Sequence, residues 1–172
     1  KGQALLSASR RTPLESRALL VLRARAPPPP SDESFAWTVE PHTADASATW
    51  YVDGSLFDEP RRYARRVGFG IVVASTSGEL LGYGGGAPPG RVHDSAGAEL
   101  WALFQTALLC PFMPLVVTDC LGILETMQRG AGAATDGSKP PAWLWKLVVR
   151  CLDGELTADL YNRVWMPSHG SR

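Results

Sequence analysis

The chain has 172 residues, of which 45% are apolar and 20% charged, a balance typical of a globular protein with a hydrophobic core. This length accommodates one domain and a tail, and three cysteines without a CxxC pair exclude a disulfide framework and a cysteine-based zinc site. No apolar run reaches the ~18 residues of a membrane span. We therefore expect an intracellular protein without a membrane partner, with nucleus or cytoplasm left open.

The net charge of zero hides an asymmetry along the chain. Residues 1–26 contain six basic residues and one acidic residue, a net charge of +5, which leaves −5 on the remainder. Prolines fill 27–30, and 31–48 is rich in Ser, Asp, Ala and Thr, as in linkers. The apolar residues there that can dock are Phe35, Trp37 and Val39. We predict a largely disordered basic arm and linker over 1–48, which either contacts polyanions or is a solvated tail, and a domain over 49–172.

Three strands are predicted at the start of this domain. Thr49–Val52 is a β-branched and aromatic run that ends at the turn-forming residues Asp53-Gly54-Ser55. Val67–Ser75 and Glu79–Tyr83 are separated only by the turn residues Ser77-Gly78. So short a connection makes these two strands antiparallel neighbours.

The second half of the domain alternates helices with strands. The predicted elements, in order, are a glycine-rich loop at Gly84–Gly90, a helix capped by Asp94 or Ser95, an apolar strand at Leu115–Thr118, a short helix at Leu121–Gln128, a flexible loop at Gly130–Pro141, a helix at Ala142–Leu152 and a strand at Ala158–Trp165. The order β-β-β-α-β-α-α-β predicts an α/β domain with a mixed sheet.

Three carboxylates fall at informative places in this order. Asp53 follows the first strand, Glu99 lies in the first helix, and Asp119 follows the fourth strand. Taken singly, they are ordinary turn or helix-start residues. Together at one sheet edge the three carboxylates would repel one another, and a divalent cation would relieve that repulsion. Mg²⁺ is suited to this role because it prefers oxygen ligands and substrate phosphates. The pattern suits two-metal hydrolysis of a phosphodiester.

Four segments resemble the successive motifs of the ribonuclease H family. They are Tyr-Val-Asp-Gly-Ser (51–55), Ala-Gly-Ala-Glu-Leu-Trp-Ala-Leu (96–103), Val-Thr-Asp-Cys (117–120) and Trp-Met-Pro-Ser-His-Gly (165–170). The resemblance implies a mixed five-stranded sheet, three antiparallel strands then parallel strands, with helices on both faces. It also implies an endonuclease that cuts the RNA strand of RNA–DNA hybrids with two Mg²⁺ ions, or Mn²⁺ in their place. In retroelements such a domain follows a reverse transcriptase domain of the same polyprotein.

The resemblance also implies roles for individual residues. Asp53, Glu99 and Asp119 would be the catalytic metal ligands, and His169 the mobile histidine that moves protons or helps to release product. The family has a fourth acidic ligand after the histidine, but only three residues follow His169. We expect either that the natural chain continues past Arg172 or that the second metal site is incomplete.

A basic cluster next to the proposed site offers a nucleic-acid contact. Arg61, Arg62, Arg65 and Arg66 flank Tyr63, and with Ser55 they can follow a phosphate backbone, although such a cluster can also serve solubility alone. Trp101, Trp143 and Trp145 are predicted to pack in the core rather than to stack on bases. The competing functional hypotheses are a catalytically inactive ribonuclease H-like binding or tether module from a decayed retroelement and another nuclease of the same superfold.

Overall fold

The structure is a computed structural model that describes residues 33–41, 47–57, 66–110, 113–152 and 163–166. These residues belong to one compact unit, Asp32–Arg172. The predicted basic arm, the proline run and residues 31–32 and 42–46 of the predicted linker lie outside the described residues.

Within these ranges the chain forms six strands and four helices. They are β1 Ser34–Val39, β2 Thr49–Phe57, β3 Arg66–Ala74, β4 Leu80–Ala87, α1 Ser95–Leu109, β5 Leu115–Thr118, α2 Leu121–Gln128, α3 Gly130–Ala134, α4 Ala142–Cys151 and β6 Arg163–Trp165. The strands lie in one sheet in the order β1-β4-β3-β2-β5-β6. Pairs within β1 to β4 are antiparallel, whereas β2–β5 and β5–β6 are parallel. The predicted mixed sheet of three antiparallel strands followed by parallel strands is confirmed.

The first predicted strand is longer than expected. The turn predicted at Asp53-Gly54-Ser55 is wrong, because β2 pairs with β3 without interruption from Thr49↔Ala74 to Phe57↔Arg66. The Asp-Gly pair therefore lies inside a hairpin arm, and its glycine serves the packing of a helix rather than a turn.

A sixth strand, β1, lies in the segment that was expected to be linker. Its alternating pattern places Phe35 and Trp37 on the side that packs against the core. Phe35 stacks on Phe69 with ring centroids 5.9 Å apart, and Trp37 meets Trp50 edge-on at 6.0 Å. Such aromatic pairs add to the stabilisation from buried area, so the segment is a docked strand and not a tail.

The glycine-rich loop predicted after the third strand is also partly wrong. Gly84–Ala87 belongs to β4, and it pairs with β1. A Cβ atom at Gly86 would overlap the carbonyl group of Ser34, 2.6 Å from its carbon atom. Glycine is needed here because β1 passes too close for a side chain.

The core lies on one face of the sheet. Alternate residues of β2 and β3 point into it and pack against α1, and apolar residues of the other three helices belong to the same cluster. Its large side chains include Trp50, Ile71, Leu103, Met127, Leu144 and Trp145. On the opposite face Tyr51, Val72 and Tyr83 are each between a third and two fifths exposed.

One helix was not predicted, and another matches its prediction. The flexible loop predicted over Gly130–Pro141 is wrong at its start, where the alanine-rich α3 forms, since alanine has the strongest helix preference. The tryptophan-rich helix α4 is confirmed, and Trp101 and Trp145 are buried in the core as predicted. None of the helices in the described ranges combines the length and apolar character needed to cross a membrane.

Candidate metal centre

Two of the three carboxylates are brought together by the parallel pairing of β2 with β5. Tyr51 lies opposite Val117 in this ladder. Asp53 and Asp119 each come two residues after this pair. The two aspartates therefore lie side by side near the centre of the sheet. This position lies just past the carboxyl end of the β2–β5 parallel ladder, and ligand sites of α/β folds form at such ends.

The third carboxylate arrives with helix α1, which lies directly against β2 at Gly54. A Cβ atom on Gly54 would overlap the carbonyl oxygen of Ser95 and lie 2.5 Å from the backbone nitrogen of Glu99. The first turn of the helix is fixed by its cap, because the Asp94 carboxylate accepts a hydrogen bond from the Gly97 amide at 2.6 Å. Gly54 therefore permits the approach that carries Glu99 to the sheet.

The three side chains converge as the sequence predicted. One carboxylate oxygen from each of Asp53, Glu99 and Asp119 lies within 4.8 Å of the others. Ligand oxygens on opposite sides of an Mg²⁺ ion are about 4 Å apart, because each bond is roughly 2.0–2.1 Å long. Small adjustments would therefore let these oxygens share a cation, and the all-oxygen donor set fits Mg²⁺ or Mn²⁺.

Glu99 is the buried member of the cluster, with 4% of its surface exposed. Burial raises its pKa to about 7, hydrogen bonding from Thr118 opposes the rise, and the charge of Asp119 adds to it. The Oε1 atom accepts hydrogen bonds from the Thr118 hydroxyl and from the Cys120 amide, the latter at 3.0 Å. The protein has thus placed a carboxylate where its charged form is costly without a cation.

A cleft of about 330 Å³ opens at the start of α1, and none of the three carboxylates is among its lining residues. Its lining includes Cys120, the start of α1 and part of α4. At its wall the Arg91 guanidinium lies 3.4 Å from the centre of the Trp143 ring, within cation–π distance. Trp143 is half-buried, so the prediction that it packs in the core holds for only part of its surface.

Of the remaining predicted site residues, two lie within the described ranges. Ser55 is exposed on the same strand as Asp53, and its hydroxyl donates to the Gly68 carbonyl at 3.4 Å. Arg66 begins β3 opposite Phe57. Arg61, Arg62, Arg65 and His169 lie outside the described residues. The roles of all of these in binding or catalysis stay predictions.

Sequence reasoning missed several residues that shape the site. Gly54 was interpreted as half of a turn, and nothing in the pattern distinguished a turn glycine from a packing glycine. Thr118 precedes Asp119 in the motif at 117–120, yet only the fold reveals its bond to Glu99. Arg91 lies in a loop before α1 and has no pattern that marks it.

The three cysteines, all within the described ranges, form no disulfide. Cys110, Cys120 and Cys151 are all free. Burial raises the pKa of Cys110 to about 11, and it also raises the pKa of Cys120, helped by the charge of Glu99. Both shifts favour the protonated thiol, which is a poor nucleophile.

No family model matches the sequence, and no curated protein matches it. Solved structures do. The native protease–reverse transcriptase of prototype foamy virus has a TM-score of 0.51 and 21% identity, over 80% of this chain and 19% of that one. The foamy viral protease–reverse transcriptase in complex with an RNA/DNA hybrid has a TM-score of 0.51 and 15% identity, over 95% and 24%.

A single-domain neighbour is matched over most of its length. The solution structure of the PFV RNase H domain has a TM-score of 0.50 and 23% identity, over 72% of this chain and 79% of that domain. The chain thus spans less than a quarter of the protease–reverse transcriptases and most of the isolated domain. Together with the strand order and pairing, this shows that the chain has a ribonuclease H-like fold.

Proposed function

We propose that this protein is an endonuclease that hydrolyses the RNA strand of RNA–DNA hybrids with two divalent cations, Mg²⁺ or Mn²⁺. The observation that carries the proposal is the meeting of Asp53, Glu99 and Asp119 within 4.8 Å. These residues are far apart in the sequence, and two strands and a helix are needed to bring them together.

The carboxylates would bind and orient the cations against the scissile phosphate. When bound, a pair of ions activates a water on one side of the phosphorus and stabilises the leaving oxygen on the other. A bound cation would favour the charged form of the buried Glu99 carboxylate, whose pKa is raised to about 7. His169 remains the proposed proton carrier.

The hybrid as substrate is supported by the neighbour that was solved in complex with an RNA/DNA hybrid. A minor-groove contact to 2′-hydroxyls would distinguish RNA from DNA. Ser55 is exposed on the strand of Asp53, and Arg91, held over Trp143, supplies a cation for a backbone phosphate. By the same comparison we propose a reverse transcriptase domain as a partner in the same polyprotein.

The test compares the full chain with two aspartate variants. End-labelled RNA–DNA hybrid, duplex DNA and single-stranded RNA are incubated with wild type, Asp53→Asn and the control Asp136→Asn, with Mg²⁺ or with EDTA. Asp136 is an exposed turn residue whose carboxylate accepts from the Ser138 amide, a bond that asparagine can also make. We expect hybrid cleavage by wild type and Asp136→Asn, and a loss of about 10³-fold in Asp53→Asn.

Three results would contradict the proposal in different ways. Cleavage in EDTA would exclude the cation mechanism, and equal cleavage of duplex DNA would exclude hybrid specificity. Tight hybrid binding by wild type without any cleavage would favour the inactive binding module instead.

A further inference from the structure

One oxygen of the Glu99 carboxylate is held by two donors from the end of β5. Oε1 accepts from the Thr118 hydroxyl and from the Cys120 amide. The Cys120 amide also reaches the Thr118 hydroxyl oxygen at 3.1 Å. Glu99, Thr118 and the backbone of Cys120 therefore form a closed triangle of hydrogen bonds immediately beside Asp119.

The place of Thr118 makes this triangle rigid. Its side chain is 3% exposed, and its backbone pairs with Trp165 of β6, one residue after the last pair of β5 with β2, Tyr51↔Val117. A β-branched side chain has few rotamers. The hydroxyl is thus a donor at a fixed point, whereas a glutamate side chain has three torsions to settle.

We propose that Thr118 is a positioning residue for the metal centre: its hydroxyl fixes Glu99 Oε1 against β5 and turns Oε2 toward the cation shared with Asp53 and Asp119. This inference rests on the proposed function for its role in catalysis, but it makes a separate claim about cation binding. Donors that orient a metal-binding carboxylate change metal affinity or activity by about 10- to 100-fold when they are removed.

The experiment uses three variants of the full chain. Thr118→Val keeps the side-chain shape and removes the hydroxyl, and Thr118→Ser keeps the hydroxyl. Thr106→Val is the control, because Thr106 is a buried threonine of α1, 0% exposed, whose hydroxyl bonds to the Ala102 carbonyl within the helix. Mn²⁺ binding is measured from the electron paramagnetic resonance signal of free Mn²⁺, beside kcat and KM for the hybrid and the melting temperature of each variant.

We expect Thr118→Val to bind Mn²⁺ about 10- to 100-fold more weakly and to lose kcat with little change in KM. Thr118→Ser should recover most of both quantities. Thr106→Val should keep wild-type Mn²⁺ affinity even where its melting temperature falls as far as that of Thr118→Val. A purely structural role for Thr118 would move the melting temperature alone.

Wild-type Mn²⁺ affinity in Thr118→Val, or equal losses in Thr118→Val and Thr106→Val, would overturn the inference, and so would a wild-type chain that binds no Mn²⁺. If wild type binds Mn²⁺ but does not cut the hybrid, the proposed function fails, while the Mn²⁺ affinities of the variants still decide the role of Thr118.

Discussion

Gly54 and Gly86 each allow another element to pack closely against a strand of the same sheet. We call the contact of α1 with β2 at Gly54 the Gly54 seam, and the contact of β1 with β4 at Gly86 the Gly86 seam. At Gly54 the approach of α1 brings negative carboxylates together, whereas at Gly86 the approach of β1 brings Phe35 and Trp37 onto the core. The first seam costs free energy, because like charges meet in a partly buried place. The second stabilises the folded domain, since each aromatic pair of this kind adds about 0.5–1.5 kcal/mol of stability beyond that from its buried area.

The difference separates function from stability within one domain. The Gly54 seam gathers the carboxylates that we propose as cation ligands. The Gly86 seam gathers groups that are useful only for cohesion. Substitutions at the first should therefore change chemistry, and substitutions at the second should change the free energy of unfolding and leave the chemistry intact.

Among the changes that test this comparison, the largest expected effect is that of Gly54→Ala. The new methyl group would overlap the Ser95 carbonyl and push α1 from β2. Because a displacement of about 1 Å can cost 10²-fold in rate, we expect hybrid cleavage to fall by about 10²-fold or more. Single-turnover cleavage assays measure it. Gly132→Ala is the control, as nothing lies within 4 Å of its Cβ position, and a Gly54→Ala chain of wild-type activity would refute the role of this seam.

The next effect concerns pH. The pKa of Glu99 is raised from its ordinary value of 4.5 to about 7 in the folded chain, so folding favours its protonated form. Without divalent cations this group's contribution to stability is present at or below about pH 4.5 and is lost as pH rises through 7, by up to roughly 3 kcal/mol.

Urea unfolding in EDTA between pH 4.5 and 8 measures this loss. Glu99→Gln should remove it, and the control Glu125→Gln, at an exposed residue paired with Arg129, should retain it. A wild-type slope in Glu99→Gln would show that other groups cause the pH dependence.

A smaller effect is expected for Gly86→Ala at the other seam. The added methyl group would overlap the Ser34 carbonyl and loosen β1, and overpacking of this kind costs about 1–3 kcal/mol. Thermal unfolding measures the cost. Mn²⁺ affinity below the new melting temperature should equal that of wild type, and its loss would contradict the separation of the two seams.

The smallest expected effect is that of Asp94→Ala, which removes the cap of α1. Loss of an N-cap hydrogen bond costs about 1 kcal/mol. The Gly54 contact would still hold the helix on β2, so we expect a lower melting temperature with hybrid cleavage within a few-fold of wild type. A loss of cleavage as large as in Gly54→Ala would show that the cap, and not the seam, positions Glu99.

The sequence predicted those features that depend on local pattern. The apolar strand Leu115–Thr118 and the helix Leu121–Gln128 match their predicted bounds, because periodicity and flanking residues report directly on such elements. The convergence of Asp53, Glu99 and Asp119 followed from placing each on an element and assuming neighbouring parallel strands.

Apart from the short helix α3, the errors involve residues whose role is set by a distant partner. Glycines at positions 54 and 84–86 look locally like turn or loop residues. They lie in strands instead, and the close packing of α1 against Gly54 and of β1 against Gly84 and Gly86 explains why a side chain is excluded there. Phe35 and Trp37 alternate as strand residues do, but in a composition typical of linkers. Thr118 looked like one more β-branched strand residue until the fold placed it beside Glu99.

Thr118 also connects the site to the end of the described chain. Its carbonyl accepts a hydrogen bond from the Met166 amide at 3.0 Å, while its hydroxyl holds Glu99. Detachment of β6 would relax β5 at this residue and release the carboxylate from its fixed orientation. Thermodynamic linkage makes such a coupling reciprocal. A cation bound by the three carboxylates would therefore stabilise the pairing of β6 with β5.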